Sequence, residues 1–501
     1  MVCCQVDNFL VINMKIAFIE PAIAHVEPLG IASLVQMLLN DGHTVTYYES
    51  PREGFLERLK EFNPDVLAYS TTTGKHRLCR DLNEELRKTI SAISIFGGPH
   101  CTFYPEFIES STLIDGICMG EGDFAITDLL RKINNKEEYI KTDNWWLRVD
   151  GKIYKNAVRN KIENLDELPF LNRDVIYAEN EQLRRTPIKR IIASRGCPYS
   201  CSYCFNKTYN FIYSGKGRVN YHRSPANIVE ELKLIKKKYP FTFLKIVDDT
   251  FGLNMNYNEF AMLYKEEIGV PFLCNVRPNL LNQEKIKYLK QAGCVAVTMA
   301  VESANDYVRN KVLCRNLDLK VMSDAITTLK ENGLRIYTQN IIGNPGETFE
   351  MAMETFNFNV KHNVDFAECF LLTPFYGTEI YENCVKNNFL EEGINIDNMP
   401  QSYWLGSCIR FNSLKEKDKF INFHKFFSFG VQHPYLLPLI KILMKFSPNK
   451  LFVLFNRFYD SWRITRVIRV KMDVITLFGV VKMNVKYIFS FFLKTDSHSK
   501  F

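Results

Sequence analysis

Three cysteines stand close together in a chain that otherwise scatters its thiols. In SRGCPYSCSYCFN, Cys197, Cys201 and Cys204 recur at spacings of four and three residues, directly after the apolar run IKRIIAS. That run reads as a β-strand, so the thiols fall in a loop at a strand end. Such a loop can wrap three thiolates around one inorganic centre. Three protein ligands on a four-iron cluster leave one iron open, as a substrate-binding cluster needs, whereas an electron-transfer cluster usually has four cysteines. Zinc is the competing occupant of short-spaced cysteines. A structural zinc wants a second ligand pair nearby, and this loop has none.

The elements that must position the loop are legible on both sides of it. From Met14, apolar runs alternate with helical stretches: KIAFIE, a helix from Leu29 to Asn40, TVTYYE, a helix near Phe55 to Phe62, then DVLAYS, ISIFGG and LIDGICM with helices between and after them. This alternation predicts a doubly wound, Rossmann-like α/β domain over residues 14–140. Residues 141–185 read as a linker with a β-hairpin turning at Asp150-Gly151. FLKIVDDTF, FLCNVR, CVAVTMAVES, LRIYTQNIIG and DFAECFLLTPF then continue the strands, again with helices between. Six βα units over residues 186–394 predict a partial (β/α)6 barrel of TIM type, with chemistry at the carboxyl ends of its strands. Residues 395–501 read as a mostly helical appendage, basic and apolar.

Composition narrows the class. A chain of 501 residues exceeds one ordinary core, and 46% apolar with 24% charged residues is the balance of a globular protein rather than a disordered or fibrous one. Fourteen cysteines without a regular framework, and no secretory leader pattern at the start, predict a reducing, cytoplasmic setting. Residues 431–501 hold eight Lys and four Arg against three Asp and no Glu, a net +9 that exceeds the +7 of the whole chain. Basic charge confined to an apolar tail predicts an acidic surface as partner, and the body shows no bias towards nucleic acid.

The cysteine spacing after a first barrel strand, with Tyr203 before the last cysteine, resembles the signature of the radical S-adenosylmethionine (SAM) enzymes. The resemblance implies a 4Fe-4S cluster on Cys197, Cys201 and Cys204, with SAM chelating the open iron. Reductive cleavage then yields methionine and a 5′-deoxyadenosyl radical that removes hydrogen from the substrate. It also implies an electron donor such as flavodoxin or ferredoxin. Downstream, Gly343-Asn344-Pro345-Gly346-Glu347 is similar to the family's G-x-P-G-E turn near the adenine, Glu302 to its strand-end residue near SAM, and Arg315 lies in a segment like its L-K-R. Asp248-Asp249 in VDDTF is similar to its D-D-x-F strand end. The SAM contacts implied are therefore Tyr203, Glu302, Arg315, Gly343, Pro345, Gly346 and Glu347.

Residues 14–135 resemble the cobalamin-binding domain that precedes the barrel in a large subfamily, through EPLGIASL, DGHTV, NPDVLAYSTTT, FGGPHCTFYPE and IDGICMGEGD. Loops at the carboxyl edge of a doubly wound sheet bind ligands, and the implied cobalamin contacts are Ser70, Thr71, Thr72, Gly97, Gly98, Glu121 and Gly122. The D-x-H-x-x-G element that gives cobalt a histidine is absent, and AHVEPLG departs from the common Pro-Pro-x-G turn. His25, His43 and His100 read as structural residues rather than ligands.

The leading expectation is cobalamin-dependent C-methylation of an unactivated carbon in a lipid-like or natural-product small molecule. The alternatives are a radical cyclase, rearrangement or oxidative enzyme of the same domain order, and a cobalamin- or metal-binding sensor. The cofactors carry the difficult steps, so no general acid or base is singled out. No uncharged run in the tail is long enough to span a bilayer, since Lys482 and Lys486 interrupt VITLFGVVKMNVKYIFSFFL. Peripheral contact with the inner membrane face and a basic helical cap on the barrel both fit its composition.

Overall fold

The computed structural model describes residues 13–399 and 406–468. The chain divides into two compact units, one of residues 1–183 with 208–218, the other of 184–207 with 219–501.

In the first unit, strands β1 (Lys15–Glu20), β2 (Thr44–Glu49), β3 (Val66–Ser70), β4 (Ile93–Gly97) and β5 (Gly116–Cys118) run parallel in the order 2-1-3-4-5. Ile19, Leu67, Tyr69, Phe96 and Ile117 lie in one apolar core with Phe107 and Ile108. The expected hairpin forms as β6 (Trp145–Val149) and β7 (Lys152–Lys155), with Asp150 and Gly151 at φ 49° and 76° as a two-residue turn of left-handed residues demands. It does not stand between domains. β6 pairs antiparallel with β5 and extends the sheet, and Trp145 is buried with its indole N–H donating to the Ala125 carbonyl.

In the second unit, β8 (Ile188–Ile191) leads into β9 (Ser194–Arg195), which pairs antiparallel with β10 (Tyr221–His222). β11 (Phe243–Ile246), β12 (Phe272–Val276), β13 (Cys294–Glu302), β14 (Arg335–Ile342) and β15 (Phe366–Leu371) follow. β8 and β11 to β15 form one six-stranded parallel sheet in chain order, the expected (β/α)6 arrangement. The helices between strands begin where side chains stop the backbone N–H groups from being orphaned. Ser224, Asn256, Asn282, Asp318 and Thr348 each accept from an N–H two or three residues on, worth about 1 kcal/mol per cap.

The C-terminal region is helical, at Leu414–Gln432, Leu437–Leu443 and Lys450–Ile468. It is not a separate appendage. Phe420, Phe423 and Phe427 are buried in the same core as the barrel strands, against Phe349 and Phe356, and each buried ring contributes about 1.5–3 kcal/mol. Val467 and Ile468 join Phe243, Leu273 and Phe366 at one end of the barrel lumen. The physical reason is that β15 is an edge strand. An incomplete barrel leaves that edge bare, and Gln432 and Arg463 donate to the carbonyls of Val364 and Asp365 just ahead of it. No described helix is long and apolar enough to cross a membrane, and the run VITLFGVVKMNVKYIFSFFL lies outside the described residues.

Candidate active site

The cysteine loop leaves β9 through Gly196 at φ 80°, where a Cβ would sit 2.1 Å from the Val219 carbonyl oxygen, so only glycine fits. Asp248, buried at the end of β11, holds the approach to the loop: its carboxylate accepts from the Ala193 N–H and the Ser194 hydroxyl, both at 2.6 Å. Burial pushes that carboxyl up to about 6. Farther on, the Ser202 hydroxyl donates to the Val312 carbonyl and the Cys204 N–H to the Cys201 carbonyl.

Each sulfur has its own polar neighbour. Thr250 Oγ1 lies 3.9 Å from Cys197 Sγ, the Arg277 guanidinium 3.9 Å from Cys201 Sγ, and Asn206 Nδ2 3.5 Å from Cys204 Sγ. Asn206 is aimed by Asp249, which accepts from the same amide at 2.9 Å. Burial pushes the Cys204 thiol up to about 11 and also raises Cys197. Occupancy by a metal centre must therefore draw off those protons. Among the described residues no three His, Cys, Asp or Glu side chains converge on one ion-sized point.

The loop is wired to the strand ends. Tyr203 donates its hydroxyl to Glu302 at 2.7 Å and receives Arg315 Nη1 at 2.8 Å, and Arg315 also lies 3.6 Å from Glu302 and donates to the Ala300 carbonyl. Arg277 donates to the Arg315 carbonyl and stacks on Tyr199 at 3.6 Å, closing a circuit back to Cys201. Glu302 is held at φ 61° where β13 slips register against β14, a backbone conformation rare outside glycine and asparagine. Burial raises its carboxyl while Arg315 opposes the rise. The sequence marked Tyr203, Glu302 and Arg315 separately; the fold makes them one hydrogen-bonded group, with Glu302 and Arg315 buried and Tyr203 half-buried.

After β14, Gly343 and Gly346 take φ 71° and 73°, and with Pro345 they turn the chain so that Glu347 Oε2 accepts from both the backbone and side-chain N–H groups of Asn344 at 2.9 Å. Glu347 Oε1 and Asn344 Oδ1 are buried without a donor, and burial pushes the Glu347 carboxyl up to about 7. Orphaned acceptors in a buried turn fit a ligand that brings N–H groups, as an adenine does.

In the first unit, the 2-1-3-4-5 order reverses direction between β1 and β3, where doubly wound sheets bind ligands. Gly98, at φ 90°, lets that edge close: a Cβ there would meet the Thr71 carbonyl oxygen at 2.7 Å. Thr71 is buried and donates its hydroxyl to the Gly97 carbonyl, and Glu121 accepts from the Ile162 N–H, so both side chains serve the fold. Thr72 is exposed, Ser70, Gly97 and Gly98 half-buried, and Gly122 precedes the helix Asp123–Asn134. Lys75 reaches Glu20 at 2.8 Å across the ends of β1 and the β3 loop, a pair that no motif announced. His43 accepts from the Met14 N–H, and His100 stacks on His76 and bonds Thr73.

The Radical SAM superfamily model matches residues 191–358 and the B12 binding domain model residues 22–130. The chain carries a radical SAM domain preceded by a B12 binding domain. This radical SAM enzyme is 27% identical, over 72% of its length and 79% of the relative's, to an uncharacterized methyltransferase of Pyrococcus horikoshii. It is 24% identical, over 71% of its length and 66% of the relative's, to the anaerobic magnesium-protoporphyrin IX monomethyl ester cyclase of Rubrivivax gelatinosus. Its fold matches that of the cobalamin-dependent SAM radical enzyme OxsB, determined with aqua-cobalamin and SAM, at a TM-score of 0.66 and 14% identity over 91% of this chain and 72% of that one. Its cofactors are a 4Fe-4S cluster, SAM and cobalamin.

Sequence reasoning did not single out Arg277, Asn206 or Thr250, although Arg277 ends the strand run FLCNVR as a charged residue at a barrel mouth. Nor did it single out Lys245 and Glu368. These share the strand faces of Phe243 and Phe366, towards the lumen, where Glu368 accepts from Tyr337. Because Asp248 anchors the approach to the loop through two acceptor oxygens, Asp248→Asn turns one of them into a donor facing a donor. Iron content after anaerobic reconstitution is expected to fall by about 10–100-fold in effective affinity, as for other outer-sphere supports, with circular dichroism unchanged.

Proposed function

We propose that the enzyme methylates an unactivated carbon of a lipid-like or natural-product molecule, using cobalamin as the methyl carrier. Bound cobalamin supplies a methyl group that a substrate carbon radical can accept. The observation that carries the reading is the pairing of the two sites within one chain: the wired cysteine loop of the barrel, and a ligand-binding sheet edge matching a B12 domain. The methyltransferase name of the Pyrococcus relative supports it.

On this reading Cys197, Cys201 and Cys204 hold the cluster, and an electron arrives from a flavodoxin- or ferredoxin-type donor. Tyr203, Glu302 and Arg315 fix the shape of the SAM site, while Gly343, Pro345, Gly346 and Glu347 present the turn that takes the adenine. Ser70, Thr72, Gly97, Gly98 and Gly122 meet the corrinoid through small side chains and backbone, and Thr71 and Glu121 support them from within. Lys245 and Glu368 share the lumen-facing strand faces above the buried Phe243, Leu273 and Phe366, which suits a substrate carrying a polar group.

The test is anaerobic incubation of the reconstituted enzyme, reductant and deuteromethyl-labelled SAM with lipid and metabolite extracts, followed by mass spectrometry. A product heavier by one labelled methyl group is expected. The cyclase relative favours a second reading, ring formation by the same radical. Conversion with 5′-deoxyadenosine formed but no label in the product would replace methyl transfer by that alternative.

A further inference from the structure

Two consecutive helices near the C-terminus carry apolar side chains that their own packing does not use. On Leu437–Leu443, Ile440 is buried in the core while Leu439 and Ile442 are exposed. On Lys450–Ile468, Leu451, Phe458 and Trp462 follow at spacings of seven and four, which keeps them on one helix face. Leu451 and Phe458 are 72% and 73% exposed, and Phe446, in the turn between the helices, is 57% exposed. Soluble proteins rarely leave a contiguous apolar patch open unless something docks there.

Charge says what docks. Residues 433–459 contain no Asp or Glu, but include Lys441, Lys445, Lys450 and Arg457, and the Lys441 and Lys445 side chains are exposed, as are Leu439, Ile442 and Phe446 around them in the sequence. The following residues, 469–501, add six basic residues against two Asp. Covering the face with that segment would bring like charges together, whereas an anionic surface satisfies both. Apolar rings beside lysines, on helices too short and too charged to span, are the composition of a helix lying in the headgroup region.

We propose that the exposed apolar side chains Leu439, Ile442, Phe446, Leu451, Phe458 and Trp462 enter an anionic phospholipid surface, with Lys441 and Lys445 at the headgroups. The contact is independent of the reaction assigned above. The full-length holoenzyme is expected to co-sediment with vesicles of phosphatidylcholine and phosphatidylglycerol and not with phosphatidylcholine alone. The double variant Lys441→Gln/Lys445→Gln, both exposed and away from the cysteine loop, is expected to bind roughly thirty-fold more weakly. Vesicles should shift the tryptophan emission to the blue in the wild type, and Trp462→Phe should remove that shift. The proposal is overturned by equal binding to both vesicle types, by a shift that survives Trp462→Phe, or by an absence of vesicle binding together with a self-associated state that the lysine variant dissolves.

Discussion

Cys201→Ala is expected to reduce SAM cleavage to background, with iron and sulfide falling together. The loss exceeds the roughly 10–100-fold that follows from disturbing an outer partner, because a cubane held by two sulfurs has lost a ligand and not merely its orientation. The variant also takes from Arg277 one of its neighbours, leaving it the Arg315 carbonyl and Asn279. Its guanidinium is buried, stacked on Tyr199 and 3.9 Å from the removed sulfur. Cys201→Ser, which keeps the size and a polar atom for Arg277, should fold as well as wild type and remain inactive. The readouts are 5′-deoxyadenosine by chromatography and the cluster's visible absorbance under strict anaerobiosis. Retention of both in either variant would exclude this loop as the cluster site.

The second large effect is expected at Glu302, and it should appear in stability as well as in SAM binding. Glu302→Ala removes the carboxylate that lies 3.6 Å from the buried Arg315 and accepts from Tyr203. Breaking a buried pair from one side typically costs about 3–5 kcal/mol, since the remaining charge has no compensation. Glu302→Gln keeps an acceptor for Tyr203 and should recover part of the loss. Glu302→Gly relieves the left-handed backbone at φ 61° but not the stranded guanidinium, so it should remain well below Gln. Thermal unfolding and SAM titration check the order wild type, Gln, Gly. A Gly variant as stable as wild type would show that backbone strain, not the ionic group, governs this position.

Much of the architecture was readable because it rests on local pattern. Strand and helix boundaries in KIAFIE, the helix Leu29–Asn40 and the helix Phe55–Phe62 follow from apolar periodicity within a few residues. The Asp150-Gly151 turn follows from the two left-handed conformations a tight hairpin needs. That β6 would extend the sheet was not readable, because edge pairing depends on which backbone groups lie bare in three dimensions. The C-terminal helices were legible as helices for the same local reason. Their burial against Phe349 and Phe356 was not, since an amphipathic face does not name the surface it will meet.

The site divides the same way. By itself the sequence determined the three thiols, their spacing, the strand that delivers them and the glycine turns, because covalent spacing and backbone freedom are properties of neighbours along the chain. The tertiary structure alone decided that Tyr203, Glu302 and Arg315 share one hydrogen-bonded group, that Arg277 faces Cys201, and that Thr71 and Glu121 turn inward. Those outcomes depend on burial and on partners about 25 to 110 residues away. The interior gives every polar group a reason to find a partner, and only the folded chain decides which one is within reach.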